Sequence, residues 1–216
     1  MLRGILFDFD GVLGWTLEDH FKAWKRAAFD FNISIEPEDY FPLEGTSVNE
    51  LAKIYCRKGR IDENKYYKEM VEKKEAYYLT NLDFKFYPGV EEFIKLLYSK
   101  NVPIAIVTAG LYDRIAKSVP ENFLKKFSAV ITSDRVSRGK PFPDPYLEAA
   151  KSLNLPCDEC IVVENAPLGI QAAKVAGAYC IGVCSTVDKK LLSGADEIIQ
   201  QFNDLKELNT IKTLLN

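Results

Sequence analysis

Apolar positions along this chain follow two periods, and the change between them divides it. Ile5, Leu6 and Phe7 make an apolar run that reads as a buried strand, closed by Asp8, Asp10 and a turn-forming Gly11. From residue 16 to 82 the spacing is helical, with no strand alternation. Leu17, Phe21, Trp24, Ala28 and Phe31 form one stripe, and Val48, Leu51, Ala52 and Tyr55 a second. Tyr67, Met70, Val71, Lys74 and Tyr78 form a third, so a small helical bundle is expected after the first strand. Tyr87-Pro88-Gly89 punctuates its end.

Helices and strands then alternate. Helices are expected over 90–97, 112–118, 146–153 and 168–175, with a last one after Asn203. Strands are expected over 103–107, 129–132, 160–163, 178–183 and 197–199. This alternation implies an α/β fold, a Rossmann-like, mostly parallel sheet with helices on both faces. Residues 1–14 and 84–216 then make the core, and 15–83 an inserted helical-bundle domain.

Composition narrows the function classes. A chain of 216 residues, 47% hydrophobic, buries one good core and carries a small accessory domain. A net charge of −3 and the lack of any long Lys/Arg block argue against a nucleic-acid partner. No apolar run reaches membrane-spanning length, and Met1 leads into the first strand without a signal peptide, so a cytoplasmic protein with no membrane partner is expected. Cys157-x-x-Cys160 has the spacing of half a zinc or redox site. No second pair stands at zinc-finger spacing, and Cys180 and Cys184 lie in a strand-like stretch; with Cys56 they are expected as plain thiols.

Candidate chemistry begins at the first strand. Residues i and i+2 of a strand share a face, so Asp8 and Asp10 start on one side. Two carboxylates that close cost energy unless a cation or a shared proton relieves them. A hard divalent ion such as Mg²⁺ suits such oxygens, leaving one carboxylate as nucleophile and its neighbour as general acid/base. A solvated acidic turn is the plain alternative.

Phe7-Asp8-Phe9-Asp10-Gly11-Val12-Leu13 resembles the first motif, DxDG[TV], of the haloacid dehalogenase superfamily of phosphoryl-transfer enzymes. Ile104 to Gly110 resembles the second, an apolar strand ending in Thr or Ser, here Thr108. Gly139-Lys140-Pro141-Phe142-Pro143-Asp144 resembles the lysine motif, and Val162-Val163-Glu164-Asn165 the acidic one. The order is the family's, the match spans essentially the whole chain, and His20-Phe21-Lys22-Ala23-Trp24 is most similar to the β-phosphoglucomutase-type branch. The resemblance implies a helical cap over the core, Asp8 as nucleophile, Asp10 as acid/base, and Thr108 and Lys140 on the phosphoryl oxygens. It implies Mg²⁺ held among Asp8, Asp10, Glu164 and Asn165, and a substrate-facing set of Gly11, His20, Trp24, Gly45, Lys74, Ala109 and Gly110. The main-chain N–H groups of Ala109 and Gly110 would donate to an anion.

Each of these residues has a plainer role open to it. Thr108 could cap a helix, and Lys140 could be a solvated loop lysine. Trp24 and Lys74 fall on apolar stripes, where packing is the default. His20, the single histidine, is either a proton-switching partner of Asp10 or a solvent-facing helix residue. Three positions depart from the family pattern: Trp15 replaces an Asp, Asn165 an acid, and Val48 the Arg with which the mutase holds a second phosphate. A Mg²⁺-dependent phosphatase acting on a small phosphorylated metabolite is expected. β-Phosphoglucomutase is the enzymatic alternative, and a non-catalytic phospho-metabolite-binding protein the alternative of another class. Monomer and homodimer remain equally open.

Overall fold

In the computed structural model, which describes residues 1–80 and 83–216, the first strand β1 (Gly4–Asp8) is buried along its whole length. The chain then enters four cap helices, α1 (Leu17–Phe29), α2 (Pro37–Tyr40), α3 (Val48–Lys58) and α4 (Glu63–Thr80). It returns through α5 (Val90–Ser99), β2 (Ile104–Val107), α6 (Tyr112–Ser118), α7 (Glu121–Leu124) and β3 (Ala129–Ile131). The other half of the sheet follows as α8 (Asp144–Ser152), β4 (Cys160–Glu164), α9 (Pro167–Val175), β5 (Tyr179–Val183), β6 (Glu197–Ile199) and α10 (Asn209–Leu215). The expected 15–83 insertion includes Asn81 and Leu82, which lie outside the described residues.

The sheet runs β3-β2-β1-β4-β5-β6, and every pairing is parallel. Both faces are covered, which is why its strands are continuously apolar rather than alternating. Ile5 and Phe7 pack with Phe93, Ile94 and Leu97 of α5 and Ile115 of α6. Leu6 faces the other way, with Tyr146 and Ala149 of α8 and Ile170 of α9. The cap has a core of its own, in which Trp24, Tyr55 and Met70 are essentially inaccessible. Burial of each such side chain contributes about 1.5–3 kcal/mol.

Chain order reverses between β1 and β4, the neighbouring central strands, and a crevice opens outside their carboxyl ends. Register brings Asp8 level with Val107, one residue before Thr108, and Phe7 level with Val163, one before Glu164. Three of the four motifs therefore end on one line. The two crossings into the cap are tied together at Gly14, bridged to Phe86, and by the Trp15 N–H, which donates to Lys85 O at 2.8 Å. Among the described residues no helix is long and apolar enough to cross a membrane.

Candidate active site

Asp8 closes β1 and is buried; Gly11, at φ +86°, turns the chain away behind it. Lys140 arrives from the loop before α8 and donates to Asp8 and to Glu164 Oε1, the latter at 2.6 Å. It is buried, so the alternative of a solvated loop lysine fails. Glu164 is saturated: Oε1 also accepts from the Tyr146 hydroxyl at 2.8 Å, and Oε2 accepts from the main-chain N–H groups of Asn165 and Ala166. Burial pushes the Asp8 carboxyl up to about 8, Lys140 pulls it down, and Glu164 adds to the rise. A divalent cation beside Asp8 would reverse that direction.

Asp10 has a different set of partners. Arg114, on α6, grips both its oxygens, Nη1 to Oδ1 at 3.0 Å and Nη2 to Oδ2 at 2.7 Å. The Thr16 hydroxyl donates to Oδ1 at 2.6 Å, and the Thr108 hydroxyl reaches Oδ2 at 3.4 Å. Burial works against ionisation, but Arg114 and then His20 hold the carboxyl well below the ordinary range.

His20 is buried rather than solvent-facing. Its Nε2 lies 3.0 Å from both Asp10 Oδ1 and Arg114 Nη1, and its ring stacks on Tyr78 at 4.2 Å. A neutral imidazole donates to the first or accepts from the second, one at a time. Burial and the cation Lys74 push it down to about 4.

Trp24 and Lys74 are each buried in the cap, and each lines the crevice. Lys74 Nζ pairs with Glu75 at 2.8 Å and lies over the Trp24 and Tyr78 rings, and burial lowers its pKa. Gly45, Ala109 and Gly110 also line the crevice, whereas Gly11 lies behind it. The Gly110 N–H is engaged with the Thr108 hydroxyl at 3.0 Å. Val48 is buried at the crevice wall, and Trp15 is exposed, stacked on Tyr87 beside the crossings.

Arg114, Thr16, Tyr146 and Glu44 were not legible as site residues. One clue to Arg114 exists: on α6 it shares a face with Ile115 and Ser118, and a Cβ at Gly110 would stand 1.9 Å from its guanidinium. A basic residue on an inward face, with a glycine leaving it room, marks a buried ion pair. The cysteines are free thiols, buried except for Cys184, which is half-buried.

Comparison with known proteins agrees with this arrangement. The family model described as haloacid dehalogenase-like hydrolase matches residues 5–183. The chain is 30% identical to β-phosphoglucomutase of Bacillus subtilis, covering 94% of this chain and 92% of that one. It is 29% identical to hexitol phosphatase A of Escherichia coli, over 94% and 93%. The crystal structure of β-phosphoglucomutase from Clostridium difficile superposes with a TM-score of 0.86 at 26% identity, covering 100% of this chain and 98% of that one. The chain belongs to the haloacid dehalogenase-like hydrolase family, as an enzyme of its phosphatase and phosphomutase group.

Proposed function

We propose that the protein is a Mg²⁺-dependent phosphatase of small phosphorylated sugars or sugar alcohols, working through an aspartyl-phosphate on Asp8. The observation that carries it is the Asp8–Lys140–Glu164 cluster standing beside Asp10 at the point where strand order reverses. Relatives named as a hexitol phosphatase and a fructose-1-phosphate phosphatase support the substrate class.

Among the described residues no three His, Cys, Asp or Glu side chains converge as a ready-made metal cluster. The donors nevertheless suit Mg²⁺, which keeps several waters and takes few carboxylates. Asn165 is fully buried, and its Oδ1 has no hydrogen-bond partner among the described residues. Asp8, the main-chain carbonyl of Asp10 and Asn165 would hold the ion, whereas Glu164 stays with Lys140. When bound, the ion neutralises the charge of the phosphoryl group and of Asp8.

Asp8 attacks phosphorus in line, forming the aspartyl-phosphate as the bond to the leaving oxygen breaks. Lys140 and Thr108 hold the phosphoryl oxygens as charge moves onto them. Asp10 gives a proton to the leaving oxygen and then takes one from the water that attacks phosphorus and releases phosphate. The Arg114 pair favours the base form of Asp10, so the first proton transfer requires that pair to loosen.

Phosphate release from a panel of sugar and polyol phosphates should need Mg²⁺ and vanish in Asp8→Asn, with the fold intact by circular dichroism. Turnover that survives exhaustive EDTA treatment sinks the metal dependence. Near wild-type turnover in Asp8→Asn sinks the covalent route.

A further inference from the structure

Glu44 stands on the cap, between the turn Phe41–Leu43 and Gly45, and its carboxylate lies against the core. It is 7% exposed and lines the same crevice as Asp8 and Glu164. One oxygen accepts from the Asn165 amide, and the other has no hydrogen-bond partner among the described residues. The same is true of Asn165 Oδ1.

Each of the other acids of the cluster has a cationic partner. Asp8 and Glu164 share Lys140, and Asp10 has Arg114. Among the described residues no cation forms an ion pair with Glu44, and Asp8 and Glu164 both oppose its charge. A buried carboxyl so placed carries its charge only where something positive meets it. Two hard oxygens without hydrogen-bond partners among the described residues thus belong to two side chains in direct contact, Glu44 and Asn165, and Glu44 shares the crevice with Asp8. That donor chemistry fits a divalent cation.

We infer that Glu44, carried by the cap, supplies the acidic charge that the uncharged Asn165 does not, so that the cation site is completed across the cap–core crevice only when the cap is closed. The inference rests on the metal-dependent reading above and adds a residue from the other domain. Closure and cation affinity then favour each other by the same factor.

The test is Mg²⁺ alone, titrated into EDTA-stripped protein without substrate, followed by calorimetry and by the Mg²⁺-dependent rise in Tm. Glu44→Gln keeps the shape and removes the charge, so Mg²⁺ affinity should fall by roughly 10–100-fold. Glu44→Gln/Asn165→Asp returns one carboxylate to the core and should recover most of that loss, which a folding defect would not do. Asn165→Asp alone faces two carboxylates, so its Tm in EDTA should drop and its rise with Mg²⁺ should exceed wild type. Unchanged affinity in Glu44→Gln overturns the inference, as does a loss that Asn165→Asp fails to repair. Wild-type protein that binds no Mg²⁺ overturns this inference and the metal-dependent reading together. Wild-type binding with unaltered Glu44→Gln binding overturns this inference alone.

Discussion

His20 sits between an acid, Asp10, and two cations, Arg114 and Lys74, and its buried ring is held neutral by burial first and by Lys74 second. Its pKa of about 4 in the folded protein lies below the ordinary 6.5 of an exposed imidazole. As pH falls through 6.5 the unfolded chain takes up the proton and the folded one does not, so stability is lost progressively down to about pH 4. At 1.36 kcal/mol per unit the full loss is roughly 3 kcal/mol. Asp8, pushed up to about 8, acts in the opposite direction over this window, and Asp10 titrates below it. The informative quantity is therefore the difference between wild type and His20→Gln. Denaturant unfolding at several pH values should show that His20→Gln loses less stability than wild type between pH 6.5 and 4. Parallel pH profiles for the two proteins would show that His20 takes up its proton equally well when folded.

The placement of Glu164 depends on a helix as much as on its strand. Gly169 of α9 passes so close that a Cβ there would stand 1.6 Å from Glu164 Oε1 and 2.0 Å from its Cδ. Glu164 accepts four hydrogen bonds and cannot step aside without releasing Lys140 or Tyr146. Gly169→Ala gains helix propensity of about 1 kcal/mol, and overpacking costs about 1–3 kcal/mol. The clash wins. Tm should fall, and phosphate release should fall further than stability explains, because Lys140 moves with Glu164. A Gly169→Ala enzyme with wild-type kcat and Tm would show that the helix and strand can separate freely.

At this scale the sequence was most informative. All six strands and the three long cap helices lie where period and punctuation placed them, because buried parallel strands are continuous apolar runs and each long helix repeats its stripe. The four-residue helices Pro37–Tyr40 and Glu121–Leu124 were missed, since one turn carries no period. Asp8, Thr108 and Glu164 were legible because strand ends gather at one crevice whatever the loops do. Arg114, Glu44 and Thr16 were not, because their roles depend on which side chain the cap or α6 brings within 3 Å, and spacing along the chain does not encode that.

In the whole molecule the cap closes over the core. The room left at the centre of the crevice, about 50 Å³, is far below the roughly 300–1,000 Å³ of ligand pockets. The proposed sugar-phosphate substrate is therefore expected to need the cap to open, and the Gly14–Phe86 bridge marks where the chain crosses between cap and core. Whether water or a second hydroxyl would discharge the proposed phospho-enzyme depends on what the closed crevice retains. A mutase has to hold a bisphosphate by its distal phosphate while the sugar turns over, which needs a free cation on the cap side. At the expected clamp position this chain has the buried Val48. Glu44 nearby would repel a phosphate, and Lys74 is already paired with Glu75 at 2.8 Å. Arg114, from the core, is committed to Asp10. With its cations so engaged, the proposed aspartyl-phosphate is expected to be discharged to water rather than to a second hydroxyl. Incubation with β-glucose 1-phosphate and a trace of the bisphosphate should therefore yield inorganic phosphate and free glucose, followed in parallel by phosphate detection and by a coupled assay for glucose 6-phosphate. Rapid accumulation of glucose 6-phosphate, dependent on the bisphosphate and with little phosphate released, would assign the chain to the mutases and require a phosphate clamp other than the residue at position 48.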